Sequence, residues 1–110
     1  MGDERRRTPS YPFIATAEVI DQSGAHITAR VTELSLHGCY LEMANPLPTD
    51  AVITIKIYSE GKFFESNGLC VYSQPKHGIG VTFRNMRPQF LSVLKQWLLA
   101  AAVAKYGPKA

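Results

Sequence analysis

Two short stretches of this 110-residue chain hold the residue types that could do chemistry. The first is "DERRRTPSYPF", residues 3–13, in which Arg5, Arg6 and Arg7 stand together just ahead of the first apolar-alternating segment. A guanidinium grips a phosphate, or the O6/N7 edge of guanine, through two parallel hydrogen bonds. A basic run near an N-terminus is also the common form of a solvated tail. The second stretch is "VTELSLHGCYLEM", residues 31–43, where Glu33, Ser35 and Gly38 follow the order acid, x, Ser, x, x, Gly. Alone, that spacing is short enough to be only a tight connection between strands. Ser35 would then bond nearby backbone, and Gly38 would supply a positive φ.

Other chemistry finds little support. His26, His37 and His77 are scattered and have no cysteine or carboxylate at metal-ligand spacing, so no metal site is expected. No local pair of carboxylates suggests an acid–base dyad. Cys39 and Cys70 have neither framework spacing nor an identifiable base, and they read as small buried apolar residues of a reducing compartment. The chain is therefore not expected to be an enzyme, and it is placed in a cytoplasm. Nothing in it has the length of a membrane span or the layout of a signal peptide. Formal net charge is +3, which mildly favours anionic partners.

The elements that must position these residues follow from periodicity. Phe13, Ala15, Ala17 and Val19 alternate with Ile14, Thr16, Glu18 and Ile20, and "DQSG" supplies a turn at 21–24. Ile27, Ala29 and Val31 face one way against Thr28, Arg30 and Thr32, and this strand is expected to end at Thr32. Cys39, Leu41 and Met43, then Ile53, Ile55 and Ile57, repeat the pattern. "SEGK" at 59–62 turns into a strand over roughly 63–73, and "QPKHG" turns into Ile79, Val81 and Phe83. Six closely spaced strands, each with one apolar face, predict an antiparallel sandwich or small barrel. Phe90, Val93, Leu94, Trp97, Leu98 and Ala101 then change to helical spacing. The helix is expected from about 88 to 105, with Pro88 in its first turn, Gly107–Pro108 as its stop, and Trp97 as a core anchor.

The arginine arm, the acid-x-Ser-x-x-Gly stretch, "GIGVTF" at 78–83 and the closing helix together resemble the PilZ domain family over nearly the whole chain. The resemblance implies a six-stranded antiparallel β-barrel capped by an α-helix, with residues 1–10 as a flexible basic arm and 11–110 as the barrel domain. It also implies a bacterial receptor or adaptor that binds cyclic di-GMP as a ligand, without cofactor or metal, and passes the signal to an unidentified protein partner without entering a membrane. The family's RxxxR motif places its first arginine on Arg6, and the second falls on Ser10. In the family's [D/N]xSxxG motif Glu33 replaces Asp or Asn, while Ser35 and Gly38 match. The implied ligand-binding residues are Arg5, Arg6, Arg7, Ser10, Glu33, Ser35 and Gly38. Two alternatives accompany this reading. One is a PilZ-like module that no longer binds the nucleotide and docks a protein, which would leave apolar area exposed on residues 98–106. The other, given the smallest share, is an oligonucleotide-binding barrel using Tyr58, Phe63, Phe64 and Tyr72 near Lys56 and Lys62.

Overall fold

The computed structural model describes residues 8–107. Six strands run in chain order as β1 (Ser10–Ile20), β2 (His26–Ser35), β3 (Gly38–Glu42), β4 (Val52–Ser59), β5 (Lys62–Gln74) and β6 (Gly78–Arg84). One helix, α1 (Pro88–Tyr106), follows them. The strands close into an antiparallel barrel in the order β1-β2-β3-β6-β5-β4, with β4 pairing back onto β1. Closure removes the free edges that an open six-stranded sheet would expose.

The inward-facing sets expected from the period of two form the core, with Phe13 and Ile27 half-buried at its margin. Ala17, Val19, Val31, Leu41, Ile55, Ile57, Phe64 and Ile79 are fully enclosed. Their polar neighbours point outward, as pleating requires. The Ser59–Lys62 connection is a two-residue hairpin in which Glu60 and Gly61 both have positive φ, 51° and 75°. That geometry matches the right-handed twist of the flanking strands.

The β1–β2 turn is organised by Asp21. Its Oδ1 accepts hydrogen bonds from the Ser23 hydroxyl at 2.6 Å, the Ser23 amide at 2.9 Å and the Ala25 amide at 3.0 Å. These bonds, led by the Ser23 hydroxyl and the Ala25 amide, hold the Asp21 carboxyl below its usual range. A depressed carboxyl stabilises the fold above its unfolded-state pKa, and that contribution is lost as pH falls toward the folded-state value. Asp21→Asn is therefore expected to flatten the acid side of a Tm-versus-pH profile between roughly pH 5 and pH 3. An acid limb identical to that of the wild type would contradict this.

The helix begins with Pro88 in its first turn and ends at Gly107, whose N–H donates to the Val103 carbonyl at 2.7 Å. Pro108 lies outside the described residues. The helix crosses β1 and β5 and adds Leu94 and Trp97 to the core. Trp97 stacks obliquely on Phe13 at 5.4 Å and on Phe64 at 6.3 Å, and is the core anchor its spacing suggested. Lys105 Nζ lies 5.6 Å from the Tyr11 ring, tying the end of the helix to the start of β1. The opposite side of the last turns stays exposed: Leu99 at 68%, Val103 at 48% and Tyr106 at 69%.

Two local expectations need correction. β2 does not end at Thr32 but continues to Ser35, because Ser10, Tyr11 and Pro12 extend the β1–β2 ladder onto Ser35, Leu34 and Glu33. Gly38 does not supply a positive φ, since it opens β3 in ordinary extended backbone.

Candidate ligand-binding groove

Extension of β2 to Ser35 leaves only Leu36 and His37 to connect it to β3. The Ser35 hydroxyl organises this tight hairpin. It accepts from the amides of His37 at 3.2 Å and Gly38 at 3.1 Å and faces the Gly38 carbonyl at 3.3 Å. The Phe83 amide donates to the His37 carbonyl at 2.8 Å, which fastens the turn to β6. Ser35 thus bonds nearby backbone, as a serine at a tight connection does.

Gly38 has a separate steric reason. A Cβ there would lie 2.0 Å from the Val81 carbonyl oxygen and 3.1 Å from its carbon. The residue is small so that β3 can approach β6.

The outward faces of these strands form a groove of about 560 Å³. Ser10 and Glu33 stand at one side of it, with Ser35 and Gly38 at the hairpin and Tyr40 and Tyr72 along the floor. Ser10 Oγ donates to Glu33 Oε1 at 3.4 Å, so the two positions that depart from the motif pattern lie side by side. Thr8 lines the same groove. Arg5, Arg6 and Arg7 lie outside the described residues. Arg7 directly precedes Thr8 in the sequence.

The tyrosines are the part of the groove that the two motifs did not include. Tyr40, on β3, pairs with Gly80 on β6, and Gly80 pairs in turn with Tyr72 on β5. With no side chain on Gly80, the Tyr72 ring lies against its backbone; a Cβ there would be 2.3 Å from the ring. The two rings are near-parallel, 29° apart, with centroids separated by 6.2 Å. Tyr40 donates its hydroxyl hydrogen bond to Gln74 Oε1 at 2.5 Å. Burial, then the neighbouring Tyr72 and Glu42, raises the Tyr40 phenol pKa; burial, then Glu33, raises that of Tyr72. Both phenols therefore remain neutral hydrogen-bond donors at neutral pH. Alternation opposite Cys39 and Leu41 was the available signal for Tyr40. Tyr72 lacked such a signal, because a register shift between Cys70 and Tyr72 turns it outward.

The remaining reactive candidates are enclosed. Burial pushes both the Cys39 and Cys70 thiols up, away from the thiolate, and the Cys70 thiol faces the Tyr72 carbonyl at 3.3 Å. Among the described residues no three His, Cys, Asp or Glu side chains gather as a metal site. No described helix is long and apolar enough to cross a membrane. Of the aromatic set proposed for oligonucleotide stacking, Phe64 is fully buried and Phe63 packs edge-on against Phe90 at 5.5 Å.

A family model for the PilZ domain matches residues 4–100. No curated protein matches the sequence. Among solved structures, the PilZ domain of CeSA from a cellulose-synthesizing bacterium is similar, with 19% identity and a TM-score of 0.67, over 84% of this chain and 97% of that one. The PilZ domain of YcgR from Escherichia coli, solved with c-di-GMP, has 16% identity and a TM-score of 0.72, over 96% of this chain and 99% of that one. The Bacillus subtilis inhibitor of motility, MotI/DgrA, has 13% identity and a TM-score of 0.74, over 92% of this chain and 52% of that one. At these identities the likeness is one of fold.

Proposed function

The chain belongs to the PilZ domain family, and on that premise we propose that it is a cyclic di-GMP receptor that signals through a protein partner. The observation that carries this reading is the groove at the β2–β3 hairpin, which is lined by Thr8, the residue that follows Arg7 in the sequence. Arg6 and Arg7 clasp the ligand from the arm, gripping phosphate or a guanine edge. Arg5 adds charge to the same arm. Glu33 accepts from guanine N–H groups, and Ser35 and Gly38 hold the hairpin backbone in place beneath the ligand. A guanine face packs on Tyr72, where a flat ring is already backed by the barrel. The domain has no catalytic role in this account.

The partner surface is the exposed stripe of Leu99, Val103 and Tyr106 on α1. The same stripe favours the second reading, a protein-docking module without nucleotide binding. Thermal stability discriminates between the two. A ligand that binds only the folded state at about a hundred times its Kd adds about 2.7 kcal/mol, which raises the Tm of a domain this size by about 10 °C. Cyclic di-GMP is expected to give such a shift, and GMP and mixed single-stranded DNA are not. Ser10→Arg, which restores the second arginine of the family motif, is expected to tighten binding about tenfold through one charge-assisted hydrogen bond. No shift with cyclic di-GMP in either protein would leave only the docking module.

A further inference from the structure

The hairpin groove is not the whole of the trough on this face. Tyr40 lines both this groove and a second one, of about 670 Å³, which continues along β3 toward the β5–β6 turn. Thr28 and Arg30 of β2, Glu42 of β3, and Gln74, Lys76 and His77 line the second groove. Gly78 pairs with Glu42 on one side and Gln74 on the other, and a Cβ on Gly78 would meet the Leu41 carbonyl oxygen at 2.0 Å. From Gly38 to Glu42 is four residues of strand, about 13 Å. The trough therefore has two stations, divided by Tyr40 and its hydroxyl bridge to Gln74.

The stations differ in charge. Among the described residues, no lysine or arginine lines the first, whereas Arg30 and Lys76 both line the second. Arg30 and Glu42 are direct register partners across β2 and β3, both exposed. Neither forms an ion pair with another described residue; the one such pair is His26 with Glu18. A guanidinium and a carboxylate side by side present a fork of donors next to a pair of acceptors. Guanine offers the complement, with acceptors at O6 and N7 and donors at N1 and the 2-amino group.

The geometry points to this second groove as the station that reads the other guanine of the ligand, with Arg30 on the O6/N7 edge and Glu42 on the N1–H and 2-amino group. The inference rests on the proposed cyclic di-GMP reading. Tyr40 stands between the two bases, and Lys76 supplies charge to the phosphate side.

The test is titration of the full chain with cyclic di-GMP, using Arg30→Ala, Arg30→Lys and Glu42→Gln. Lys95→Ala, an exposed helix position away from both grooves, serves as a charge control. All three positions are exposed, so each variant's melting curve should match the wild type. Arg30→Ala and Glu42→Gln are each expected to weaken binding about tenfold or more, which is the range for one bidentate base contact. Arg30→Lys is expected to weaken it nearly as much, because an ammonium cannot form the fork. Lys95→Ala is expected to bind as the wild type does. Unchanged affinity in Arg30→Ala and Glu42→Gln, or an equal loss in Lys95→Ala, overturns the second station while leaving the receptor reading intact. A wild-type chain that does not bind cyclic di-GMP overturns the receptor reading and this inference with it.

Discussion

Arg6→Ala is expected to weaken cyclic di-GMP binding by about a hundredfold or more, with no change in Tm. A hydrogen bond to a charged group contributes about 1.5–3 kcal/mol. A guanidinium on phosphate or a guanine edge makes two in parallel, so about 3 kcal/mol is a low figure for its loss, and that is about two orders of magnitude in Kd. Position 10 deepens the effect. Where the family motif has a second arginine, this chain has Ser10, whose hydroxyl is turned to Glu33 at 3.4 Å. With fewer cations on the arm, each one that remains carries more of the grip. Stability is expected to hold because Arg6 precedes the first strand, which starts at Ser10. A calorimetric or anisotropy titration of the purified variant measures this. An affinity within threefold of wild type would show that the arm is not part of the site.

The second large effect is on the fold. Gly38→Ala is expected to cost about 3 kcal/mol and to lower Tm by more than about 10 °C. The added methyl would lie 2.0 Å from the Val81 carbonyl oxygen and 3.3 Å from the Thr82 Cα. Both are backbone atoms, so no rotamer change relieves the clash; β3 must move off β6. That movement pulls on a ladder from Gly38–Thr82 to Glu42–Gly78 and disturbs Leu41, Ile79 and Val81 in the core. Gly24→Ala is the comparison. Gly24 has φ +89° but nothing within 4 Å of an added Cβ, so its cost is only backbone strain, about 1 kcal/mol. If chemical denaturation finds Gly38→Ala no worse than Gly24→Ala, the close approach of β3 to β6 is wrong. The motif glycine is thus accounted for by sheet packing, and only a binding measurement on a folded variant can add a ligand role to it.

Strand faces were legible wherever the period of two runs unbroken. Ile53, Ile55 and Ile57 alternate with Thr54, Lys56 and Tyr58, and burial follows that order. The helix was legible for the same reason, to within a residue at its end, because Pro88 and Gly107 mark its limits. The reading failed where the ladder slips. Val31 and Leu34 are both fully buried although three residues apart, because the β2–β3 register shifts between Val31 and Glu33. The shift places Glu33 outward, and pairing with Ser10, Tyr11 and Pro12 of β1 carries the strand to Ser35. A second slip, between Cys70 and Tyr72, turns Tyr72 onto the groove. Extra residues of this kind are set by the partner strand and leave no local signature in the sequence. Pairing of β3 with β6 and closure of β4 onto β1 are likewise non-local, and the family resemblance implied a closed barrel without its strand order. The candidate site was half legible. The residue types singled out the hairpin side of the groove, whereas the tyrosine floor and the Arg30–Glu42 adjacency depend on which strands become neighbours.

The reading most in need of a test is that this barrel binds cyclic di-GMP in the trough at its β2–β3 hairpin. Isothermal calorimetry of the full chain with cyclic di-GMP, with GMP and single-stranded DNA as controls, tests it most directly. Saturable heat at micromolar affinity or tighter, absent with both controls, is the predicted result. No heat up to high micromolar ligand, in a sample whose melting curve shows it folded, would contradict the claim and leave the α1 surface of Leu99, Val103 and Tyr106 as the domain's working face.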